Sequence, residues 1–402
     1  MDNWKKNTIL FLASQNISFF GSMLVQYAIT WYITLQTQSG TMMTIAIICG
    51  FLPTFFLSPF AGVWADRYSR KLLIILSDSL IAIATLVLAI LFLTGYGSLW
   101  LLFVISAIRA LGAGIQMPAV GAFLPQIVPV DKLTKVNATN TSIQSLVTLA
   151  SPMLSGALLT VASIEAIFFI DVITAAIAVT ILLWFLQVPV HAKALEARSI
   201  SYFGDMREGL VYIKSHGFVR TIFIFCAIYF ILVAPLAFLT PLQVARSFGN
   251  DVWRLTVTEV AFSLGMTAGG IIMASWEGFK NKLHTMVLSN FIIAVSTFAL
   301  GVVPVFWIYL GLMGLIGIAL PLFNTPFIVL LQQKVEQDFL GRVFGVLTMI
   351  SSSLMPLAML AYGPAADLIK IEWLLIGTGL LMVVQSFFML NNKVLIETGK
   401  SS

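Results

Sequence analysis

Long apolar segments separated by short polar stretches constrain this chain more than any other feature of its sequence. Hydrophobic residues make up 59% of its 402 residues and charged residues only 10%, whereas a soluble domain of this size carries about 25% charged residues. A transmembrane helix needs roughly 20 apolar residues. The sequence therefore predicts an all-α integral membrane protein with twelve transmembrane helices. These lie at about 8–35, 41–64, 72–94, 98–120, 137–162, 164–188, 218–244, 255–276, 283–302, 304–330, 343–366 and 371–391.

The lysine and arginine residues predict which helix ends face the cytoplasm. If the amino terminus is cytoplasmic, 18 of the 22 basic residues fall in cytoplasmic loops and tails, and three fall in outer loops. Basic residues accumulate on the cytoplasmic side of membrane proteins, so both termini are expected there. Because these residues are dispersed over short loops, no nucleic-acid binding is expected.

The two halves of the chain resemble each other. Residues 126–136 align with residues 333–343 at an offset of 207. Such repeats are typical of transporters in which two halves rock about a central site. We expect two pseudo-symmetric six-helix halves and a cytoplasmic linker with an amphipathic helix over 203–216 that lies on the membrane surface. The predicted parts are 1–188, 189–217 and 218–402.

A strongly charged segment, residues 66–72, separates the second and third apolar segments, and a weaker copy at 277–283 follows 211 positions later. A helix amino terminus favours a nearby carboxylate, and a charged contact at a membrane edge can switch between two states. We interpret the charged residues as gating residues; the alternative is that they only anchor the topology. They are Asp66, Arg67, Arg70 and Lys71.

Ionisable residues inside the predicted spans are candidates for proton coupling, because a charge in a bilayer is costly unless it is paired or hydrated. Arg109 is the one basic residue deep in a span, and Asp78 and Asp171 lie in the third and sixth spans. Desolvation disfavours a charged carboxyl, so either acid could carry a proton, and a hydrogen-bonded structural acid is the alternative. Glu165, Glu259 and Asp367 map nearer the outer surface. Solvated rim acids are expected there, although Glu259 could also meet a proton or substrate.

Polar residues recur at spacings of three and four along the first predicted helix, at Gln15, Ser18, Ser22 and Gln26. In lipid, such a stripe should face a wet cavity or a partner helix. Aromatic side chains could add surface for a bulky amphiphile. Two prolines flank Asn324 and suggest a broken helix near a gate. The predicted cavity residues are Gln15, Ser22, Gln26, Trp31, Gln116, Tyr229 and Asn324.

Several motifs resemble those of the major facilitator superfamily, over nearly the whole chain. Residues 62–72 are similar to its loop motif between helices 2 and 3, with Ser69 where that motif usually has glycine. Residues 109–114 resemble the motif of proton-coupled members, and residues 150–156 resemble a degraded form of the antiporter motif. The residues that carry the resemblance are Gly62, Asp66, Arg70, Lys71, Arg109, Gly112, Gly114, Pro152 and Gly156.

A closer resemblance is to the macrolide-efflux type of drug exporter from Gram-positive bacteria, carried by residues 50–53, 258–266 and 340–344. It implies a multi-pass transporter of the bacterial cytoplasmic membrane, not an enzyme, that exports macrolide-like amphiphilic drugs by proton antiport. The proton gradient would supply the energy, without a cofactor. The expected partners are a small amphiphilic substrate and the lipid bilayer, and a monomer is one option.

Three alternatives remain at this stage. The same fold could export a siderophore or another metabolite, or the chain could be a non-transporting membrane partner or sensor. A membrane enzyme would need a clustered catalytic set, which the sequence does not show. Cys49 and Cys226 lie far apart in apolar segments, and the three histidines have no metal-ligand spacing. No metal site is therefore expected.

Overall fold

The computed structural model describes residues 4–186 and 202–399, and every regular element in them is helical. Twelve of these helices are long and apolar enough to cross a membrane, which confirms the predicted number. Several helices extend past the predicted ends; the first begins at Trp4 and ends at Thr37. Polar residues can continue a helical backbone beyond the apolar run, so the helix ends cannot be read from hydropathy alone.

The chain forms two compact units by its internal contacts. The first comprises residues 1–36 and 45–200, and the second comprises residues 37–44 and 201–402. The short segment 37–44 therefore belongs to the second unit by its contacts, although it lies early in the sequence. Residues 189–201 of the predicted linker lie outside the described residues.

The first unit contains the first six long helices, except for the residues of α1 and α2 that lie between 37 and 44. They are α1 (Trp4–Thr37), α2 (Gly40–Arg67), α3 (Arg70–Leu93), α4 (Leu99–Ile127), α5 (Leu133–Val161) and α6 (Ile164–Thr180). A 3₁₀ turn at Val130–Lys132 precedes α5, and a π-helical turn at Ile181–Phe185 follows α6. Helix α2 begins in the second unit and continues into the first.

The second unit contains six further long helices and two short ones. They are α7 (Tyr202–Ser215), α8 (Gly217–Ser247), α9 (Val252–Trp276), α10 (Lys282–Leu300), α11 (Phe306–Lys334), α12 (Gln337–Leu368), α13 (Ile371–Asn391) and α14 (Lys393–Gly399). Helices α7 and α14 are too short to span a bilayer.

Glycine residues allow α9 and α11 to pack closely. A Cβ added at Gly265 would lie 2.1 Å from the carbonyl oxygen of Gly314, and one added at Gly317 would lie 2.2 Å from that of Phe262. Transmembrane helices associate through van der Waals contact rather than by the hydrophobic effect, so small residues at the interface bring the backbones together.

Helix α11 runs without a break through Pro321 and Pro326, so the predicted broken helix at Asn324 is wrong. Proline removes a backbone donor, but its φ of about −65° is compatible with a helix. In a transmembrane bundle, neighbouring groups can satisfy the carbonyl oxygens that lose their partners. Asn324 is exposed on this continuous helix.

Helix α7 lies where the sequence predicts an amphipathic helix in the linker, and its buried face packs on α12. The Tyr212 ring stacks between His216, at 3.9 Å, and Phe339, at 4.5 Å. Gly209 also lies against α12, where an added Cβ would be 3.0 Å from the carbonyl oxygen of Arg342. Helix α7 is thus held by its own unit through aromatic stacking and close backbone contact.

Candidate coupling site

Polar side chains recur seven residues apart on three helices of the first unit. Seven residues make almost two helical turns and rise about 10 Å, so the two side chains of each pair share one face. The pairs are Gln15 and Ser22 on α1, Asp78 and Thr85 on α3, and Arg109 and Gln116 on α4. With Asp171 on α6, these residues form two polar layers inside the first unit.

The first layer is built on an ion pair between Arg109 and Asp171. The side chain of Asp171 is fully buried, and that of Arg109 is 9% exposed. Arg109 also donates to the Thr85 hydroxyl and, at 3.3 Å, to the main-chain oxygen of Ser22. The Asp171 carboxylate lies 3.0 Å from Thr85 Oγ1 and 3.2 Å from Ser22 Oγ. Opposite charges and hydrogen bonds thus compensate for the removal of both groups from water.

A glycine on α1 makes room for this layer. A Cβ added at Gly21 would lie 3.0 Å from the Cα of Asp171 and 2.0 Å from Thr174 Oγ1. Both atoms belong to α6, so α1 and α6 approach each other closely where the carboxylate is buried. Glycine is required at position 21 because a side chain would collide with α6, and not because of its backbone conformation.

The second layer surrounds Asp78, which is 1% exposed. Its Oδ1 accepts hydrogen bonds from Ser18 Oγ at 2.8 Å and from Gln116 Nε2 at 2.6 Å. Its Oδ2 lies 3.5 Å from Gln15 Nε2. All of these donors are neutral, and within the described residues no lysine or arginine forms a salt bridge with this carboxyl group.

The two layers differ in their charge balance. Arg109 and Asp171 cancel each other, whereas Asp78 has only neutral partners. Gain or loss of a proton at Asp78 therefore changes the net charge of the buried network by one unit. It also changes hydrogen bonds to α1 and α4, because a carboxylate accepts charge-assisted bonds that a neutral carboxyl group does not.

The polar stripe on α1 contacts neighbouring helices, and its role in lining a cavity stays a prediction. Gln15 and Ser18 contact Asp78, and Ser22 contacts Asp171, so these three side chains bond to partner helices. Gln26 is exposed. Arg109 pairs with Asp171 on α6 rather than with Asp78 on α3.

Thr85 is the site residue that the sequence interpretation missed. A threonine in an apolar helix usually bonds to its own backbone, and Thr85 Oγ1 does lie 2.9 Å from the carbonyl oxygen of Ile81. Its spacing of seven residues from Asp78 was the available indication that it shares a face with a candidate coupling acid.

Two of the aromatic residues assigned to the cavity are buried. Trp31 is 1% exposed and Tyr229 is 3% exposed. The Tyr229 ring stacks on Phe323 with centroids 4.7 Å apart. In this structure neither ring offers surface to a substrate. Glu259, on α9, is half-buried and belongs to the second unit, whereas both layers belong to the first.

The predicted gating residues lie at the turn between α2 and α3. The side chain of Asp66 lies outside the described part of the structure, and Arg67 is exposed. Arg70 donates to two main-chain carbonyl oxygens, at 2.9 and 2.8 Å, and Lys71 donates to a third at 2.7 Å. These bonds tie the turn to α4 and to the end of the sixth span. A gating role for the four residues stays a prediction.

The turn accommodates Ser69 without a glycine conformation. Ser69 has φ −61°, and its hydroxyl accepts a hydrogen bond from the backbone of Leu72 at 3.4 Å. It thus caps the amino terminus of α3, which explains the departure from the family motif. In the weaker copy, Asn281 caps α10 in the same way, with its side chain 3.0 Å from the nitrogen of Leu283.

Asp367 is exposed, as expected for an acid near the end of a span, and it is also bonded to other residues. Its carboxylate accepts hydrogen bonds from the backbone nitrogen atoms of Gly40 and Thr41 and forms an ion pair with Arg246. Besides its exposure to solvent, this carboxylate therefore caps the first turn of α2.

Comparison with known proteins identifies the class of protein that this fold and site define. Residues 11–359 match the Major Facilitator Superfamily, and the chain belongs to that superfamily of transporters. It is therefore a multi-pass protein of the bacterial cell membrane, and its role is transport rather than catalysis.

The chain is also similar to named proteins. The chain is 28% identical to "Macrolide efflux protein A" of Streptococcus pyogenes over 386 residues, which cover 95% of each chain. It is 22% identical to the "Staphyloferrin A transporter" of Staphylococcus aureus, over 98% of this chain and 99% of that protein. A crystal structure of a POT family transporter in complex with 5-aminolevulinic acid shares the fold, with a TM-score of 0.76, 12% identity and coverage of 98% and 97% of the two chains.

Proposed function

We propose that this chain is a secondary active exporter of amphiphilic drugs, macrolide-like ones first, that is driven by proton entry. The similarity to a macrolide efflux protein along 95% of the chain supports the choice of cargo. The superfamily supports alternating access between two halves. The excess of basic residues in alternate loops supports cytoplasmic termini, and the gradient itself would supply the energy.

The observation that carries the proposal is the buried carboxyl group of Asp78, which has only neutral hydrogen-bond partners. The neighbouring layer already holds its own balanced ion pair. A single proton at Asp78 therefore sets whether this part of the bundle is neutral or negative. Such a group is suited to carry the coupling proton.

Proton binding at Asp78 would also act on helix packing. The carboxylate accepts bonds from Ser18 on α1 and Gln116 on α4. Protonation weakens these bonds and adds a donor that needs a new acceptor. The relative stability of two bundle arrangements then depends on the proton, which is the requirement for coupling it to a conformational change.

Transport in liposomes tests the proposal. Purified protein is reconstituted, a pH gradient is imposed, and accumulation of radiolabelled erythromycin is followed with and without an uncoupler. We expect accumulation that the uncoupler abolishes, and we expect Asp78→Asn to lose gradient-driven accumulation while it retains exchange of labelled for unlabelled drug. Glu165→Gln on α6 is the matched control, because this half-buried acid lies outside both polar layers.

The outcomes separate coupling from cargo. Full gradient-driven accumulation by Asp78→Asn would reject the coupling role of this acid. No accumulation by folded wild-type protein would reject macrolides as cargo.

A siderophore is the second candidate cargo, favoured by similarity to the Staphyloferrin A transporter over nearly the whole chain. The same vesicles distinguish it. Gradient-driven movement of labelled siderophore without movement of erythromycin would support this candidate. The coupling role of Asp78 would then be tested by Asp78→Asn with the siderophore as substrate.

A further inference from the structure

Helix α5 has two exposed sides of different character. On one side Leu146 is 65% exposed and Met153 is 44% exposed, as expected for contact with lipid. On the other side four exposed polar side chains recur at spacings of four, four and three residues, so they share one face of the helix. They are Asn137, Thr141, Ser145 and Thr148, and we call them the α5 polar face.

The α5 polar face extends into the depth of the bilayer core. Helix α5 has 29 residues and is therefore about 43 Å long, whereas the hydrocarbon core is about 30 Å thick. The polar face begins about one turn after Leu133 and runs along about 16 Å of the helix. Hydrocarbon offers no hydrogen bonds, so exposed polar side chains at this depth face water or a polar ligand.

The hydrogen bonds of the α5 polar face leave it with free acceptors. Ser145 Oγ and Thr148 Oγ1 each donate their only hydrogen to a carbonyl oxygen of α5 itself, at 2.9 Å. A hydroxyl oxygen that has donated can still accept a hydrogen bond. No charged residue occurs between Lys135 and Glu165. The face thus offers neutral acceptors, which suit the O–H groups of a neutral ligand.

A pair of amide side chains adds an unpartnered acceptor beside this face. Asn16 Nδ2, on α1, donates to the Leu12 carbonyl oxygen at 2.7 Å and to Asn140 Oδ1, on α5, at 3.1 Å. A carbonyl oxygen only accepts, so Leu12 fixes which end of the Asn16 amide is the nitrogen. Asn16 is 7% exposed, and its Oδ1 has no donor among the described residues. A buried acceptor without a donor is costly.

We propose that Asn16, Asn140 and the α5 polar face form a subsite for a neutral, hydroxyl-bearing group of the transported molecule, such as a neutral sugar. Asn140 is only partly buried, so its side chain can move aside and let a ligand hydroxyl donate to Asn16 Oδ1. All of these residues belong to the first unit. The inference rests on the proposed function and deepens it, because it names the part of an amphiphilic cargo that makes hydrogen bonds.

Equilibrium binding to purified protein, in a detergent without sugar groups, tests the subsite in the absence of a proton gradient. Radiolabelled erythromycin, which carries a neutral sugar, is displaced by unlabelled erythromycin or by its derivative without that sugar. We expect the wild type to bind erythromycin about tenfold more tightly than the derivative, because each hydrogen bond between neutral groups adds a few-fold. Asn140→Leu should weaken erythromycin binding about fivefold and leave the Kd of the derivative unchanged.

A second variant keeps the test available if Asn140→Leu does not fold. Thr141→Val combined with Thr148→Val preserves the shape of the α5 polar face and removes two hydroxyl oxygens, so the same selective loss is expected. Thr139→Val is the matched control. Thr139 is an exposed hydroxyl of α5 that donates to the Lys135 carbonyl oxygen at 2.9 Å, but it lies on the opposite side of the helix from the polar face. Its substitution should leave both Kd values unchanged.

The outcomes separate the subsite from the cargo. Equal affinity of the wild type for the two ligands, an equal loss for both ligands in Asn140→Leu, or the same selective loss in Thr139→Val would overturn the subsite and leave macrolide export intact. An absence of erythromycin binding by folded wild-type protein would instead reject macrolides as cargo, and the subsite with them.

Discussion

The buried ion pair between Arg109 and Asp171 gives the sharpest test of the site. Asp171→Asn removes the negative charge and leaves the guanidinium, 9% exposed, without a carboxylate. Breaking one side of a buried ion pair costs about 3–5 kcal/mol, because the remaining charge stays desolvated. For a unit of some 200 residues this corresponds to a fall in Tm on the order of 10 °C.

Removing both charges should cost far less. The double variant Arg109→Met with Asp171→Leu replaces the pair by apolar side chains, and such replacements are often neutral in stability. We therefore expect the double variant to melt within about 4 °C of the wild type. The double-mutant cycle that includes Arg109→Met alone and Asp171→Leu alone should show a coupling energy of about 3 kcal/mol.

Thermal unfolding in detergent, followed by tryptophan fluorescence, gives the Tm of the wild type, the single variants and the double variant. Glu165→Gln, on the same helix and half-buried, is the control for loss of an acid on α6. If Asp171→Asn melts within 2–3 °C of the wild type, or if the double variant loses as much Tm as the two single variants together, Arg109 and Asp171 are not a buried ion pair whose charges compensate each other.

Three further predictions concern packing. Gly265→Leu should lower the yield of folded protein because α9 and α11 cannot separate freely, whereas Gly270→Leu, where an added Cβ meets nothing within 4 Å, should not; size-exclusion chromatography in detergent compares them. Thr85→Val should cost about 1 kcal/mol in thermal unfolding, since it removes a hydroxyl bonded inside the bundle, and no measurable loss would contradict its bridging role. Tyr212→Ala should speed tryptic cleavage near α7 by loosening its contact with α12, whereas Val211→Ala, which is 59% exposed, should leave the rate unchanged; equal rates for both would show that the stack does not hold the helix.

The number of membrane helices could be predicted because apolar length is a direct consequence of bilayer thickness. Their ends could not. Helix α1 begins at Trp4, before its apolar run begins, and helix α11 ends at Lys334, after its apolar run has ended. The prolines of α11 predicted a break that is absent. Proline restricts one residue and removes one donor, but the neighbours of a transmembrane helix decide whether it stays straight.

The charged residues of the site could be predicted because charges are rare inside spans. Their pairing could not. Arg109 is closer in sequence to Asp78 than to Asp171, yet it pairs with Asp171, because the packing of α6 against α1 brings that carboxylate to it. Sequence spacing locates residues on one helix, whereas a partner on another helix depends on which helices are neighbours.

The cap of helix α2 shows the same limit at the end of a span. Asp367 and Arg246 lie 121 positions apart, and neither has an unusual local sequence. Capping normally comes from a residue just before the helix. Here the cap for α2 comes from the far end of α12, so no local pattern could have predicted it.

The continuity of α2 has a mechanical consequence. From Thr44, where the helix leaves the second unit, to Arg67 at its other end, the chain rises about 35 Å at 1.5 Å per residue. A tilt of ten degrees about Thr44 would therefore carry Arg67 through about 6 Å, which is more than one helical turn. A small rotation of α2 near Thr44 would therefore cause a large displacement of the charged turn at the opposite end of the helix.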